Sequence, residues 1–325
     1  MGKLFVGADI SKRTIDVYIR LGDRERHCQI SNGLSGFEEL ETWFQKLALP
    51  AKPQIVCEAT GKYYLAFAKY FHACGCAVSV VNPYQINKFG ESNLRRTKTD
   101  KQDAKIIHDF AVSADVNRRL LDWQPEPEEN SRLRAYHRLI EQLQVALTAE
   151  KNRIQEADAE IAPFHQANIA HLKQQIRQAK QAVSKLLKQD AALSRANALL
   201  QTIPGIGKAT APILLSYLLG SVRFTTVNKF VAYCGLSPTQ FQSGTSVNQH
   251  KKPRFGKKDL KTALYMPALK AYSLGIFGSF VAGMRKRGKK PMTIIIAIMR
   301  KLAVIAYHVI KTGKPFEAQR YTKAA

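Results

Sequence analysis

The sequence is poor in cysteine, and its five cysteines are scattered, with no C-x-x-C pair and no histidine at metal-ligand spacing. This argues against a disulfide framework or a zinc site and is typical of a reducing compartment. The first ten residues lack the charged and then apolar pattern of a signal peptide. Arg300 and Lys301 interrupt the most apolar late segment, residues 293–310, which favours a buried or amphipathic helix. We therefore expect a soluble, cytoplasmic protein without a membrane partner.

Acidic residues are almost absent from the C-terminal part of the chain. Residues 191–325 contain 22 Lys or Arg but only Asp259 and Glu317, a net charge of +20, whereas residues 1–190 carry +5. Such an imbalance predicts a polyanion-binding surface, and nucleic acid is the commonest polyanion. A basic face that is merely solvated is the alternative. With 325 residues, the chain is long enough for two domains and a connector.

Two aspartates interrupt an otherwise basic segment, RRTKTDKQDA, at residues 95–104. Asp100 and Asp103 are three residues apart, so both carboxylates lie on one face if the segment is helical. Paired carboxylates supply the hard oxygen ligands that Mg²⁺ prefers, and neighbouring cations would hold phosphates. Taken alone, the pair also fits a helix N-terminus, where aspartate is favoured. The neighbouring cations are Arg95, Arg96 and Lys98.

The order of elements predicts a mixed sheet with helices on its faces. Two of its predicted strands carry an acid at their end, Asp9 at the end of the first strand and Glu58 at the end of the fourth. Sites form at strand ends in open α/β sheets, so these acids could meet Asp100 and Asp103 at one edge. A solvent-facing acid is the alternative for each one. The predicted strands are residues 4–10, 14–21, 29–31, 54–57 and 77–81, and the predicted helices are residues 35–47 and 62–74.

The motifs GADIS, EATG and NLRRTKTDKQDA together resemble the acidic quartet of the DEDD insertion-sequence transposases. That family includes the pilin-gene invertases and the RNA-guided bridge recombinases. The resemblance implies an α/β N-terminal domain with a RuvC-like, ribonuclease-H-type fold. It also implies that Asp9, Glu58, Asp100 and Asp103 are catalytic ligands of Mg²⁺.

From Glu126 onward, apolar residues recur at the 3,4 spacing of a coiled coil, with Glu150 as an exception. We predict two long helices joined by a turn at Pro163. They would form an antiparallel hairpin or pair with the helices of another protomer, and periodicity does not separate the two arrangements. Packing of both helices on the globular domains is a further alternative.

The segment IPGIG at residues 203–207 lies between two apolar helical segments, of which the second is predicted to begin at Lys208. This pattern resembles a helix-hairpin-helix, in which glycines let backbone N–H groups approach a phosphate. Gly205, Gly207 and Lys208 would then contact the nucleic-acid backbone without reading its sequence. A plain turn between two helices is the alternative.

The blocks GLSP, SGTSV and LKTALYMPAL resemble the C-terminal transposase domain of the same family, which has an essential serine before a glycine. The match implies that Ser243 is the nucleophile, with Ser246 as the alternative. By sequence alone, a serine in this setting is a turn residue. No His or Asp in the loop offers a base, so activation would have to come from another segment.

These features predict an insertion-sequence transposase with three parts. Residues 1–125 would form the RuvC-like domain, residues 126–190 a coiled-coil arm, and residues 191–325 a mainly α transposase domain. We expect a dimer or tetramer at the nucleoid with DNA as the substrate, and the resemblance to the bridge recombinases implies an element-encoded bridge RNA as a second partner. The further predicted nucleic-acid contacts are Lys251, Lys252, Arg254, Lys257, Lys258, Arg285, Lys286 and Arg287.

Two other functions fit parts of the sequence. A metal-dependent nuclease or junction resolvase would use the carboxylates to activate water, with Ser243 as a turn residue only. An architectural DNA-binding protein would need no catalytic residues. Four clustered acids argue against the latter, because clustering them without a cation is costly.

Overall fold

The chain forms two compact units, Met1–Pro125 and Glu126–Ala325. The computed structural model describes residues 3–92, 99–116, 120–220, 224–243, 247–251 and 256–317, with the backbone alone at 116, 239–243 and 247–251.

A five-stranded mixed sheet forms the centre of the first unit, with the strand order β3-β2-β1-β4-β5. The three N-terminal strands are antiparallel to one another, whereas β4 and β5 run parallel to β1. This arrangement confirms the predicted mixed α/β architecture. The strands are β1 (Phe5–Ile10), β2 (Thr14–Leu21), β3 (Arg24–Ser31), β4 (Gln54–Glu58) and β5 (Ala77–Val81).

Helices cover both faces of this sheet, because the central strands β1 and β4 are apolar and buried on both sides. The helices are α1 (Leu34–Lys46), α2 (Tyr64–Ala73), α3 (Pro83–Ser92) and α4 (Asp100–Val116). On one face, Val6 of β1 shares a core with Phe37 of α1 and Phe67 of α2. On the other face, Phe5 shares a core with Ile107 of α4. Odd-numbered residues of β1 therefore face α4.

Two elements of the first unit differ from the sequence prediction. Strand β3 begins at Arg24, five residues before the predicted start at Gln29. Its first half is exposed and charged, so it lacks the apolar alternation by which a strand is recognised. Helix α3 was not predicted, because only Ile86 and Gly90 are buried among its ten residues.

The second unit begins with two long helices, α5 (Glu128–Arg153) and α6 (Ala162–Gln189), that pack against each other. The predicted turn at Pro163 is wrong in position, because residues 154–161 connect the helices and Pro163 lies in the first turn of α6. Proline suits that turn, since its missing N–H would have no partner within the helix.

Among its described residues, the remainder of the second unit is mainly helical, with one two-stranded antiparallel sheet. Helix α8 begins at Ala211 rather than at the predicted Lys208, because Thr210 and Ala211 both donate a backbone hydrogen bond to Gly207 in an intervening turn. The elements are α7 (Ala191–Gln201), α8 (Ala211–Leu218), α9 (Val227–Tyr233), β6 (Thr239–Ser243), β7 (Val247–Lys251), α10 (Lys258–Ser273), α11 (Gly278–Lys286) and α12 (Pro291–Thr312).

Helix α12 lies at the centre of the second unit's core. By length and composition it could cross a membrane, with a mean hydropathy of 1.8 over its best window. However, its residues Ile294, Ile298 and Leu302 are at most 1% exposed and pack in the same core as Leu214 and Phe230. This burial agrees with the prediction of a buried helix.

Candidate active site

A glycine in β1 allows helix α4 to lie directly on the sheet. A Cβ atom built on Gly7 would lie 2.2 Å from the carbonyl oxygen of Ala104 and 2.5 Å from the backbone nitrogen of His108. Real Cβ contacts are not this short, so any other residue would push the helix away. The close approach brings the first turn of α4 to the end of β1, where Asp9 lies.

Three of the predicted carboxylates come together at this point. One ligand oxygen each from Asp9, Asp100 and Asp103 lies within 4.8 Å of the other two. Asp9 and Asp103 are half-buried, whereas Asp100 is exposed on the first residue of α4. The i, i+3 spacing thus places both helix carboxylates on the face that meets the strand, as the sequence predicted.

The fourth carboxylate lies at the end of the neighbouring strand. Glu58 is the last residue of β4 and is half-buried, one position beyond the pairing of Cys57 with Ala8. Among the described residues it is not within the three-carboxylate group, and its Oε1 accepts a hydrogen bond of 3.4 Å from Thr60. The charge of Glu58 nevertheless helps to raise the pKa of Asp9, so the two strand ends belong to one electrostatic site.

Burial and mutual repulsion disfavour the charged form of Asp9. Burial is the largest cause, and repulsion from Asp103, Glu58 and Asp100 adds to it, so that the pKa of Asp9 is raised to about 6. A divalent cation would relieve both effects, because it replaces lost solvation and neutralises the repulsion. Carboxylate oxygens are also the ligands that hard divalent cations prefer, so the donor set fits such an ion.

Sequence reasoning missed a fifth acid at this site. Asp16 of β2 pairs directly with Asp9 in the β1–β2 register and is only 4% exposed. Its oxygens are hydrogen-bonded to His27 Nε2 at 2.8 Å and to Gln29 Nε2 at 3.0 Å. The alternation of β2, with Ile15 on the opposite face, is the signal that could have placed Asp16 beside Asp9.

The predicted serine lies at the end of a hairpin strand in the second unit. Ser243 is the last residue of β6 and pairs with Val247, the first residue of β7. The alternative, Ser246, lies outside the described residues. The backbone therefore places Ser243 at the end of β6, directly before residues 244–246, which lie outside the described residues.

Gly205 has a packing role in the turn after α7. Its φ is +87°, and a Cβ atom there would lie 2.5 Å from the carbonyl oxygen of Pro267 in α10. Gly207 has open space around it, and Lys208 is exposed. A glycine is thus required at position 205 by the contact with α10, independently of any phosphate.

The other predicted nucleic-acid contacts with described side chains are exposed cations of the second unit. Lys257 lies over the ring of Tyr233 at 5.7 Å, and Arg285 donates a hydrogen bond of 2.5 Å to the hydroxyl of Tyr272. Lys258, Lys286 and Arg287 are exposed. The side chain of Lys251 is not described, and the residues outside the described ranges are Arg95, Arg96, Lys98, Lys252 and Arg254.

Comparison with known proteins identifies the family. A family model for DEDD transposases of the IS110 type, described as "Transposase", matches residues 6–163, and the model "Transposase IS116/IS110/IS902 family" matches residues 197–277. The chain belongs to the IS110 transposase family. This is a family of DNA transposases and DNA-inverting recombinases, so the chain is an enzyme of DNA cleavage and transfer.

Relatives of known name extend this likeness over the whole chain. The chain is 34% identical over 322 residues to the pilin gene-inverting proteins of Moraxella bovis and Moraxella lacunata, covering 98% of both chains in each case. It is also 27% identical over 121 residues to an uncharacterized 43.6 kDa protein of insertion element IS110 from Streptomyces coelicolor, which is 37% of this chain and 30% of that protein. The match to the first family model, residues 6–163, includes all four carboxylates. The match to the second model, residues 197–277, includes Ser243.

Proposed function

We propose that this IS110-family enzyme is a site-specific recombinase of an insertion sequence that cleaves and rejoins DNA through a phosphoserine intermediate. The observation that carries the proposal is the three-carboxylate group of Asp9, Asp100 and Asp103, with Glu58 on the adjacent strand end. These four carboxylates would hold Mg²⁺. The ion would supply positive charge to the scissile phosphate.

The serine supplies the nucleophile in this reaction. The Oγ of Ser243 attacks phosphorus, a P–O bond to the serine forms, and the bond to one sugar oxygen breaks. A base outside the hairpin takes the serine proton and passes it to the leaving sugar oxygen, which departs as a hydroxyl group. Attack by the hydroxyl of a second DNA end reverses the step, so bond energy is conserved for strand exchange.

The predicted division of the chain suits an assembly of several protomers. We retain residues 1–125 as the RuvC-like domain, residues 126–190 as a coiled-coil arm, and residues 191–325 as the transposase domain. Support for the arm comes from α5 and α6, which pack against each other and bury Ile176 and Ala179, whereas Leu133 and Leu186 belong to the core of the second unit. In a dimer or tetramer, the carboxylates and the serine of one composite site would come from different protomers.

The nucleic-acid partners follow from charge and family. Residues 191–325 carry +20, which suffices for DNA and for an element-encoded bridge RNA as well. Gly207 and Lys208 are exposed at the turn after α7, which fits a helix-hairpin-helix contact with a phosphate. We place the protein in the cytoplasm, at the nucleoid.

A metal-dependent nuclease or junction resolvase is the second candidate, since the same carboxylate group suits water activation. The test is incubation with Mg²⁺, RNA co-purified from cells that carry the whole element, and labelled DNA that spans the element's own junction. Denaturing gels would compare the wild type with Ser243→Ala and Asp103→Ala. A protein-linked DNA band that is lost in both variants supports the recombinase. Free cleaved DNA that is unaffected by Ser243→Ala supports the nuclease.

A further inference from the structure

The turn that follows β1, the strand that carries Asp9, presents two exposed cations. Ser11 fixes this turn, because its hydroxyl donates to the carbonyl oxygen of Thr14 at 2.8 Å and accepts from the backbone N–H of Thr14 at 3.0 Å. Lys12 and Arg13 are exposed within the turn, two and three residues after the end of β1. Their positions therefore depend on the same strand that carries Asp9.

The loop that follows β4 presents a third cation and an aromatic ring. Gly61 adopts a φ of +57°, which turns the chain after Glu58. Lys62 is exposed, and Tyr63 is 43% exposed although it is a large apolar ring. In this loop a cation and a flat ring are thus neighbours, directly after the strand that carries Glu58.

Asn32 ties the two loops together. Its Nδ2 donates to the carbonyl oxygen of Ser11 at 2.8 Å and to that of Tyr63 at 3.3 Å. Its backbone N–H also donates to the carbonyl oxygen of Arg13 at 2.8 Å. One side-chain amide therefore uses both of its hydrogens to hold the two loops at a fixed separation.

The three cations of these loops are available to a ligand. Among the described residues, the side chains of Lys12, Arg13 and Lys62 form no ion pair or hydrogen bond. An exposed cation costs little to leave unpaired in water, and all three lie on loops that follow the strands carrying Asp9 and Glu58. A polyanion that approaches the carboxylates would meet these cations first.

We propose that these tied loops, residues 11–14 and 61–63, form a clamp for the single DNA strand that leads into the carboxylate site. Lys12, Arg13 and Lys62 would contact the phosphates next to the scissile one, and the ring of Tyr63 would stack on a base, the combination that suits single strands. Asn32 is the positioning residue. The clamp rests on the proposed function, since it gives a substrate to the same site.

Photocross-linking of the full-length protein tests the clamp. The probe is an oligothymidylate of about 12 nucleotides that contains 5-iododeoxyuridine, irradiated with the protein and digested at glutamate. The peptide of residues 59–91 contains Tyr63 and is unchanged in length by every variant used. Because the cross-link is read at this peptide, binding by the basic second unit does not obscure it.

Two variants and one matched control decide the outcome. We expect Lys12→Gln/Lys62→Gln to lower the cross-link at this peptide about tenfold, because each lost phosphate contact weakens binding. Asn32→Ala retains every cation. We expect it to lower the cross-link at this peptide as much as the lysine variant does, because the two loops are no longer held together. Arg24→Gln/Lys46→Gln removes the same charge from exposed positions of the first unit and should leave the cross-link unchanged.

Several results would overturn the clamp. The first is a cross-link that persists in Lys12→Gln/Lys62→Gln. The second is a cross-link that falls in the control variant as much as in the lysine variant. The third is a cross-link that an RNA competitor of the same sequence suppresses better than a DNA competitor does. Tryptophan emission would confirm that Asn32→Ala is folded, and if it is not, the lysine variant decides alone. The assay requires no cleavage, so a missing cross-link counts against the clamp only, whereas serine-independent cleavage counts against the proposed reaction only.

Discussion

Replacing Asp9 with asparagine removes one of the like charges at the carboxylate site and leaves the side chain's shape nearly unchanged. The pKa of Asp9 rises from 3.8 to about 6 on folding, so its charge opposes the folded state above that pH. A shift of about two pKa units corresponds to at most about 3 kcal/mol, and we expect about 1–2 kcal/mol because the side chain is half-exposed. Without divalent cations at about pH 7.5, Asp9→Asn should therefore be more stable than the wild type by that amount.

Tryptophan fluorescence in denaturant measures this difference in the first unit alone. Trp43 and Trp123 are the only two tryptophans of the sequence, and both belong to that unit. Asp23→Asn provides the control, because Asp23 is exposed in the turn between β2 and β3. We expect that variant to unfold at the same denaturant concentration as the wild type.

The difference in stability between Asp9→Asn and the wild type depends on the pH and on the divalent cation. Below about pH 3 Asp9 is protonated in both states, so the gain of Asp9→Asn should vanish there. With Mg²⁺ at about a hundredfold over its Kd, the wild type gains about 2.7 kcal/mol, whereas a variant that has lost a charged ligand and gains less than about 0.7 kcal/mol becomes the less stable protein. If Asp9→Asn is the less stable protein without cations at neutral pH, the electrostatic account of the site is refuted.

Three further substitutions test close contacts and buried hydrogen bonds within the two units. Gly7→Ala should destabilise the first unit by about 2–4 kcal/mol in the tryptophan assay, because its Cβ would lie 2.2 Å from the oxygen of Ala104. Gly205→Ala should destabilise the second unit by about 2–3 kcal/mol in circular dichroism melts, because of its φ of +87° and the 2.5 Å approach to Pro267. Asp16→Ala should cost the first unit about 1–3 kcal/mol by tryptophan fluorescence, because its two hydrogen-bond donors lose their acceptor.

The strand ends and the i, i+3 pair were predictable because their signals are local. An apolar run that stops at Asp9 or Glu58 indicates where a strand ends, and the spacing of Asp100 and Asp103 places them on one helix face. The sequence order then implies that these ends share an edge of the sheet. That three of the four acids meet within 4.8 Å agrees with this reasoning.

The contacts that complete the site were not predictable because they are tertiary. In the sequence, nothing distinguishes Gly7 from other glycines, because its contact with α4 is known only from the structure. Asp16 is a neighbour of Asp9 because of the register between β1 and β2. Likewise, Gly205 indicated a phosphate-binding turn, whereas the structure shows that α10 requires the glycine. Sequence patterns identified these segments, but the partner that explains each residue lies far along the chain.

Mass spectrometry of the protein-linked DNA tests the proposed reaction most directly. A protease that cuts after lysine releases residues 230–251 as one peptide, which contains Ser237, Ser243 and Ser246. After reaction with junction DNA and removal of the nucleotides beyond the link, fragmentation of that peptide locates the bound phosphate. The account predicts a nucleotide phosphate on Ser243. A phosphate on Ser246 would contradict the assignment of the nucleophile, and cleaved DNA without any modified peptide would contradict the serine mechanism itself.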